Sequence, residues 1–434
     1  MQIANRVLPP GAKPTTEPMK WLPQMPLAER DRRWRLIRRK MTEAGVDALI
    51  VLGTDIFWGM GTANNQYLFH LEAAPASDGL FPLEGQPVVW MGAPQLTWPF
   101  HSGLCVQQWC TDVRTRRGMA AIADEIRARG LDRSRLGLVG YASTIQTTPV
   151  YLKGDLLTLE KLLPQAQFVD SAQMLQDARL VKSEDEISML RRAAGVAEKT
   201  LQAMIDTARP GITEAAVYGE MIKTHIANGG EPSFFILLGS GPVEHPSEEL
   251  WSLLHGGLGP KVPTMRPLNV GDMVIAEWHT KFGGYRCHTE CSVYLGKKAP
   301  KQLLRIWDVS LECLQASQTA LRAGNTLGAA WREIRAPAER AGLDWVELGW
   351  HAMGIGSPEF PTVIFKEGFG HHTLNGHGIE DFVLEEGMAF GNNVDLHDGT
   401  WKPDVGLMIG GFMVVRPGQA EALVKLPKEL PQVG

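Results

Sequence analysis

Four residues in the stretch GDMVIAEWHTKFGGYRCHTECSVYLG, 271–296, can bind a metal or move a proton: Glu277, His279, His288 and Glu290. Their setting is otherwise apolar. Val274, Ile275, Ala276 and Trp278 read as a strand, Phe282-Gly283-Gly284 as a turn, and Cys287 to Leu295 as the returning strand. Residues two apart on a strand share a face, so Glu277 goes with His279 and His288 with Glu290. Carboxylates and imidazoles on buried strands cost desolvation energy unless they pair, hold a metal or do chemistry. An imidazole with its ordinary pKa of about 6.5 gives and takes protons at neutral pH, and a neighbouring carboxylate orients it. The plainer reading of Glu277 is an ion pair with Arg286 or Lys281. For His279 the plainer reading, a satisfied ring beside Trp278, is preferred.

A second group of such residues lies in GFGHHTLNGHGIE, 368–380, which holds His371, His372 and His377 and precedes LEEGMAF, 384–390. Its bland alternative is a glycine-rich surface loop with solvated histidines. A third source is the long loop before Gly271, which offers His255 and, less well spaced from the following Gly-Asp, His245.

The hairpin, with Gly271-Asp272, Val274-Ile275, an acid at 277 and Gly284-Tyr285, resembles the metal-binding hairpin of the pita-bread family. That family includes methionine aminopeptidase, aminopeptidase P, prolidase and creatinase. The histidine-rich run and LEEGM resemble its GH-x-x-G…H run and its LEPGM strand. ARLVKSEDEISMLRRAAGVAEKTL, beginning at 178, resembles the opening of the catalytic domain in the creatinase and prolidase branch. The resemblance implies two aspartate ligands eleven residues apart, and those positions hold Glu277 and His288. It assigns the first histidine ligand to His371, or His372, and the substrate-contacting histidine to His377. The two glutamate ligands fall on Asn393 and Gly410. A two-ion site needs bridging carboxylates roughly 3.5–4 Å from both ions, which this set does not supply. The reading is therefore a metal-free centre; if any ion is held, the set is Glu277, His288 and His371.

Creatinase, as the resemblance has it, works without metal and carries a glutamate at the position of Glu290. The implied activity is general acid–base catalysis by histidine, with Glu277 and Glu290 orienting it, most simply hydrolysis of a C–N bond in a small non-peptide molecule. Asn393 in place of creatinase's second glutamate argues against creatine itself. The alternatives are a lyase running a retro-aldol or β-elimination, an Xaa-Pro metallopeptidase, and an inactive binding module. No cofactor is expected. By the same resemblance the protein is a homodimer whose amino-terminal domain lies near the partner's site, with Trp58, Asn64 and Tyr67 as a wall. Trp278 and Asn393 complete the expected substrate contacts.

The elements that must position these residues follow from the pattern. The 434-residue chain has room for two domains, and its 44% apolar and 21% charged content is that of a globular protein. A net charge of −5 offers no basic footprint for nucleic acid. Five cysteines without a CxxC pair suit reduced thiols in a cytoplasm, and no apolar run reaches the roughly 18 residues of a membrane span. Thirteen tryptophans against six tyrosines suit an aromatic or cationic substrate. Residues 1–27 are proline-rich and read as an arm. Alternating strands and helices over 28–175 give a small α/β domain, and 176–434 a carboxy-terminal pita-bread domain, an α/β (α+β) fold overall. Ser183-x-x-Glu186 is a capping box, and Thr213 caps a second helix.

Overall fold

The computed structural model describes residues 23–53, 62–70, 77–91, 109–114, 118–140, 151–232, 236–244, 263–365, 373–374, 377–378, 380–402 and 405–434. The chain divides into two compact units. The first holds residues up to Leu180 together with Ile355–Pro358, and the second holds Val181–Gly354 and Glu359–Gly434.

The first unit begins with helix α1 (Leu27–Ala44), whose buried Trp34, Ile37 and Met41 recur at three and four. Gly45 ends it in the left-handed region, φ 64°, with its N–H returning to the last helical carbonyls. Strand β1 (Ala48–Val51) is buried along its length. The other elements are α2 (Ala63–Phe69), β2 (Ser77–Pro82), β3 (Val88–Met91), β4 (Asp112–Arg114), α3 (Met119–Ala128), β5 (Arg135–Val139), α4 (Lys153–Leu162), β6 (Gln167–Asp170) and α5 (Ala172–Leu180). The strands form one sheet in the order β4-β3-β2-β1-β5-β6. β1, β5 and β6 run parallel, whereas β2 is inserted antiparallel between β1 and β3. Ile122 and Ile126 of α3 and Leu159 of α4 close one face over Ile50, Leu80, Trp90 and Leu136.

The second unit opens with α6 (Glu184–Thr207). Its amino end is closed by the reciprocal Ser183–Glu186 capping box. α7 (Glu214–Ala227) follows, with the Thr213 side chain accepting from Ala216 N–H. The strands β7 (Ile236–Pro242), β8 (Asp272–Phe282), β9 (Tyr285–Leu295) and β18 (Gln432–Val433) make a sheet in the order β18-β9-β8-β7, and α6 lies against β8 and β9. Tyr285 Oη donates to Glu186 Oε1 at 3.0 Å, fixing the hairpin tip to the start of that helix. Helices α8 (Lys301–Ala320) and α9 (Leu327–Ala341) pack together, and α8 lies against a second sheet. That sheet contains β10 (Asp344–Ala352), β11 (Glu359–Phe365), β14 (Ala389–His397), β15 (Gly406–Met408), β16 (Gly411–Val414) and β17 (Glu421–Ala422). A small ladder, β12 (Thr373–Leu374) with β13 (His377–Gly378), stands apart. The two large sheets meet where Glu290 and Gly410 exchange both backbone hydrogen bonds, 3.0 and 3.1 Å. Among the described residues no helix is long and apolar enough to cross a membrane.

Candidate functional site

The hairpin turn sets the site. Gly283 and Gly284 both have positive φ, 58° and 79°, which a two-residue hairpin loop requires and which glycine adopts without strain. With Phe282 opposite Tyr285, the ladder places His279 opposite His288 and Glu277 opposite Glu290. Side chains alternate along a strand, so these four share one face of the hairpin. The same alternation puts Trp278, expected to touch substrate, on the other face with Thr280, Thr289, Cys287 and Cys291. The sequence pattern placed each pair on its own strand; the register joins them.

On that shared face the side chains converge. Glu277 Oε1 lies 3.4 Å from His279 Nε2 and 3.6 Å from His288 Nδ1. His279 Nε2 and His288 Nδ1 are 3.2 Å apart. A fourth group enters from the second sheet: His351 of β10 sets its ring edge-on to His288, centroids 4.9 Å apart, and 5.7 Å from that of His279. One ligand atom from each of Glu277, His279, His288 and His351 lies within 4.8 Å of all the others. None of the four residues is more than 5% exposed. His351 has room because Gly391 faces it across the ladder: a Cβ there would stand 2.7 Å from His351 Cε1 and 2.8 Å from His288 Cβ. His351 Nδ1 is buried without a hydrogen-bond partner among the described residues.

Burial holds two of these imidazoles neutral. His279 is driven well below its ordinary pKa by desolvation first, then by His288 and Arg286. His351 is driven down by desolvation first, then by His288 and His279. Neutral imidazole is the form that accepts a proton or a metal ion.

A carboxylate group adjoins the cluster. His288 Nε2 lies 3.5 Å from Glu290 Oε1, and Glu290, Glu347 and Asp395 bring their oxygens within 4.8 Å of one another. Asn393 Nδ2 donates to Glu290 Oε1 at 2.8 Å and to Glu347 Oε2 at 3.0 Å. Gly410 leaves space for Glu290, since a Cβ at 410 would meet Glu290 Oε2 at 2.5 Å and the Asn392 carbonyl at 2.2 Å.

Of the residues singled out in the sequence, Glu277, His288, Glu290 and Asn393 are thus brought together. His279, read there as a packed ring, is a full member of the cluster, because the register sets it against His288. Lys281, offered as a partner for Glu277, instead pairs with Glu231 at 3.7 Å. Asn64 and Tyr67 have their polar atoms occupied within the first unit: Asn64 Oδ1 accepts from Arg179, and Tyr67 Oη donates to the Ala178 carbonyl. Trp58, His245, His255, His371 and His372 lie outside the described residues, as does the side chain of His377, whose backbone pairs with Leu374. His351 is the member the sequence reading missed. Its signal was present, for His351-Ala-Met-Gly354 has the H-x-x-G spacing sought twenty residues later.

A family model described as metallopeptidase family M24 matches residues 188–417. The chain is similar to an ectoine hydrolase of Halomonas elongata, 22% identical over 62% of this chain and 64% of that protein. It is similar to an Xaa-Pro dipeptidase of Lactobacillus helveticus, 24% identical over 68% of this chain and 69% of that one. Its fold is similar to that of an X-Pro aminopeptidase from Thermotoga maritima, TM-score 0.70, at 16% identity over 93% of this chain and 99% of that chain.

Proposed function

The chain belongs to metallopeptidase family M24 and has the pita-bread fold of aminopeptidase P and prolidase, and on that premise we propose that it hydrolyses a C–N bond in a small organic molecule. The reacting centre is the group Glu277, His279, His288 and His351 with the adjoining Glu290. The observation that carries this reading is the convergence of those four side chains inside an apolar hairpin, within the segment that matches the family. Burying a carboxylate against three imidazoles costs several kcal/mol, so chemistry is the reason to keep them there.

We infer that the family's two-ion centre is not kept. At a position the motif assigns to a carboxylate ligand, Asn393 presents N–H groups to Glu290 and Glu347. At another, Gly410 leaves its space to the Glu290 carboxylate. No step is therefore routed through two ions. Hydrolysis adds water across the scissile bond: the water oxygen bonds to carbon, the C–N bond breaks, and the water's proton ends on the departing nitrogen. Glu290 carries that proton. Its Oε1 is held by Asn393 and faces His288, which ties it to the cluster, and its Oε2 points to the space at Gly410.

The test is an assay of the purified full chain against zwitterionic cyclic amidines of the ectoine type, small amides and Xaa-Pro dipeptides, reading amine release. Glu290→Gln should reduce turnover about 10²- to 10⁴-fold, the ordinary contribution of a positioned acid–base, with unchanged circular dichroism. Silence across the panel, or full activity in Glu290→Gln, refutes the proposal. A second reading, Xaa-Pro dipeptidase, draws on the named relatives, and turnover confined to the dipeptides would select it. No observation favours the lyase alternative.

A further inference from the structure

We propose that Glu277, His279, His288 and His351 form a mononuclear, nitrogen-rich metal site that takes zinc or a similar imidazole-preferring divalent ion. The proposal rests on the hydrolase reading and names what organises its centre: four protein donors close a tetrahedron, so the ion fixes the side chains beside Glu290 and leaves the proton to that residue, and metal binding itself is tested without any substrate. The separations support it. A tetrahedral ion with bonds of about 2.0–2.1 Å sets its ligand atoms about 3.3–3.4 Å apart. Glu277 Oε1, His279 Nε2 and His288 Nδ1 stand 3.2, 3.4 and 3.6 Å from one another. The last two distances are long for hydrogen bonds and right for the edges of a coordination polyhedron.

The surroundings agree. His351 brings a fourth ring with a nitrogen within 4.8 Å of the other three donors, and its buried Nδ1 has no hydrogen-bond partner among the described residues. His288 Nε2 faces Glu290 Oε1 at 3.5 Å, beyond hydrogen-bond range, so that carboxylate acts on the ring as a negative charge behind it. Metal-binding histidines are commonly backed by carboxylates. Four strand-borne ligands leave little freedom to lose on binding, because β8, β9 and β10 are fixed by their ladders. Three imidazoles and one carboxylate favour zinc, iron, cobalt or nickel over magnesium or manganese, which prefer oxygen. The neighbouring Glu290, Glu347 and Asp395 group is a poorer home for an ion, since Asn393 already directs N–H groups at two of its carboxylates.

The experiment uses the full chain stripped with a chelator and titrated separately with Zn²⁺, Co²⁺ and Mn²⁺. Metal content, thermal shift and the visible absorption of the Co²⁺ form are the readouts. The expected result is one equivalent of Zn²⁺ or Co²⁺ per chain, a raised Tm, intense four-coordinate Co²⁺ bands and weaker uptake of Mn²⁺. His279→Gln keeps the volume of the ring and should weaken Zn²⁺ binding at least about a hundredfold; Glu290→Gln, behind His288, should weaken it about ten- to a hundredfold. His225→Gln, a buried histidine outside the cluster, should bind as the parent does. His351→Gln replaces His279→Gln if the latter fails to fold. Uptake of no ion, uptake of two equivalents, preference for Mn²⁺, or undiminished binding by the folded variant overturns the site. Unimpaired hydrolysis in excess chelator would overturn the metal and leave the hydrolase; stoichiometric binding with no hydrolysis would do the reverse.

Discussion

Substituting Gly391 by Ala tests the placement of the His351 ring against His288. Gly391 sits on β14 directly opposite His351, and its backbone lies outside the left-handed region, so the new methyl group is penalised only by what it meets. It would meet His351 Cε1 at 2.7 Å and both His351 Nε2 and His288 Cβ at 2.8 Å, short of the 3.4 Å of ordinary contact by about 0.6–0.7 Å. His288 Cβ belongs to a central strand and cannot yield, so the imidazole of His351 must move by most of that distance. Overpacking of this kind costs roughly 1–3 kcal/mol, a loss of a few degrees in Tm. The functional cost is larger in proportion, because a misplacement near 1 Å is worth about 10²-fold in rate. We expect turnover and Zn²⁺ affinity each to fall about 10- to 100-fold while the fold survives. Paired melting curves, metal titrations and amine-release assays on parent and variant measure this. If Gly391→Ala keeps both within a factor of about two while losing stability, His351 has no part in the centre, and the four-group reading is wrong.

Two further outcomes are expected. Gly410→Ala should destabilise the second unit and impair turnover together, because its methyl group would stand 2.2 Å from the Asn392 carbonyl and 2.5 Å from Glu290 Oε2; normal activity in that variant would remove Glu290 from the mechanism. Stability of the chelated protein should fall as pH drops below about 6.5. His225, His279 and His351 are all held below that value, chiefly by desolvation, so the unfolded chain binds the extra protons. The slope is at most about 1.4 kcal/mol per pH unit for each histidine, and denaturant melts that do not change between pH 7.5 and 5 would contradict it.

Much of this centre could be read from the chain, and the rest failed for physical reasons. The capping box at Ser183–Glu186 and the glycine turn at 283–284 are local devices, and both are present as the residues foretell. The turn also contained the register: once Phe282 faces Tyr285, counting back along both strands sets His279 against His288. His279 sits beside Trp278 in the sequence, and its partner His288 is met only across the ladder. His351 lies in another sheet, 63 residues past His288, and no periodicity links β10 to the hairpin. The antiparallel insertion of β2 was likewise invisible to a reading based on alternating strands and helices, because partner choice within a sheet is a long-range property. The space at Gly391 and Gly410 is a matter of what lies opposite, which sequence spacing does not encode.

Glu290 is stitched to Gly410 by its own backbone, while His351 reaches the hairpin from the neighbouring sheet. Whatever fills the centre therefore acts as a rivet through two layers. Occupancy and mechanical cohesion become one property: an empty centre leaves the layers joined along a seam of main-chain bonds, and a filled one pins them. Resistance of this unit to a protease would then report on the chemistry inside it, before any product is detected.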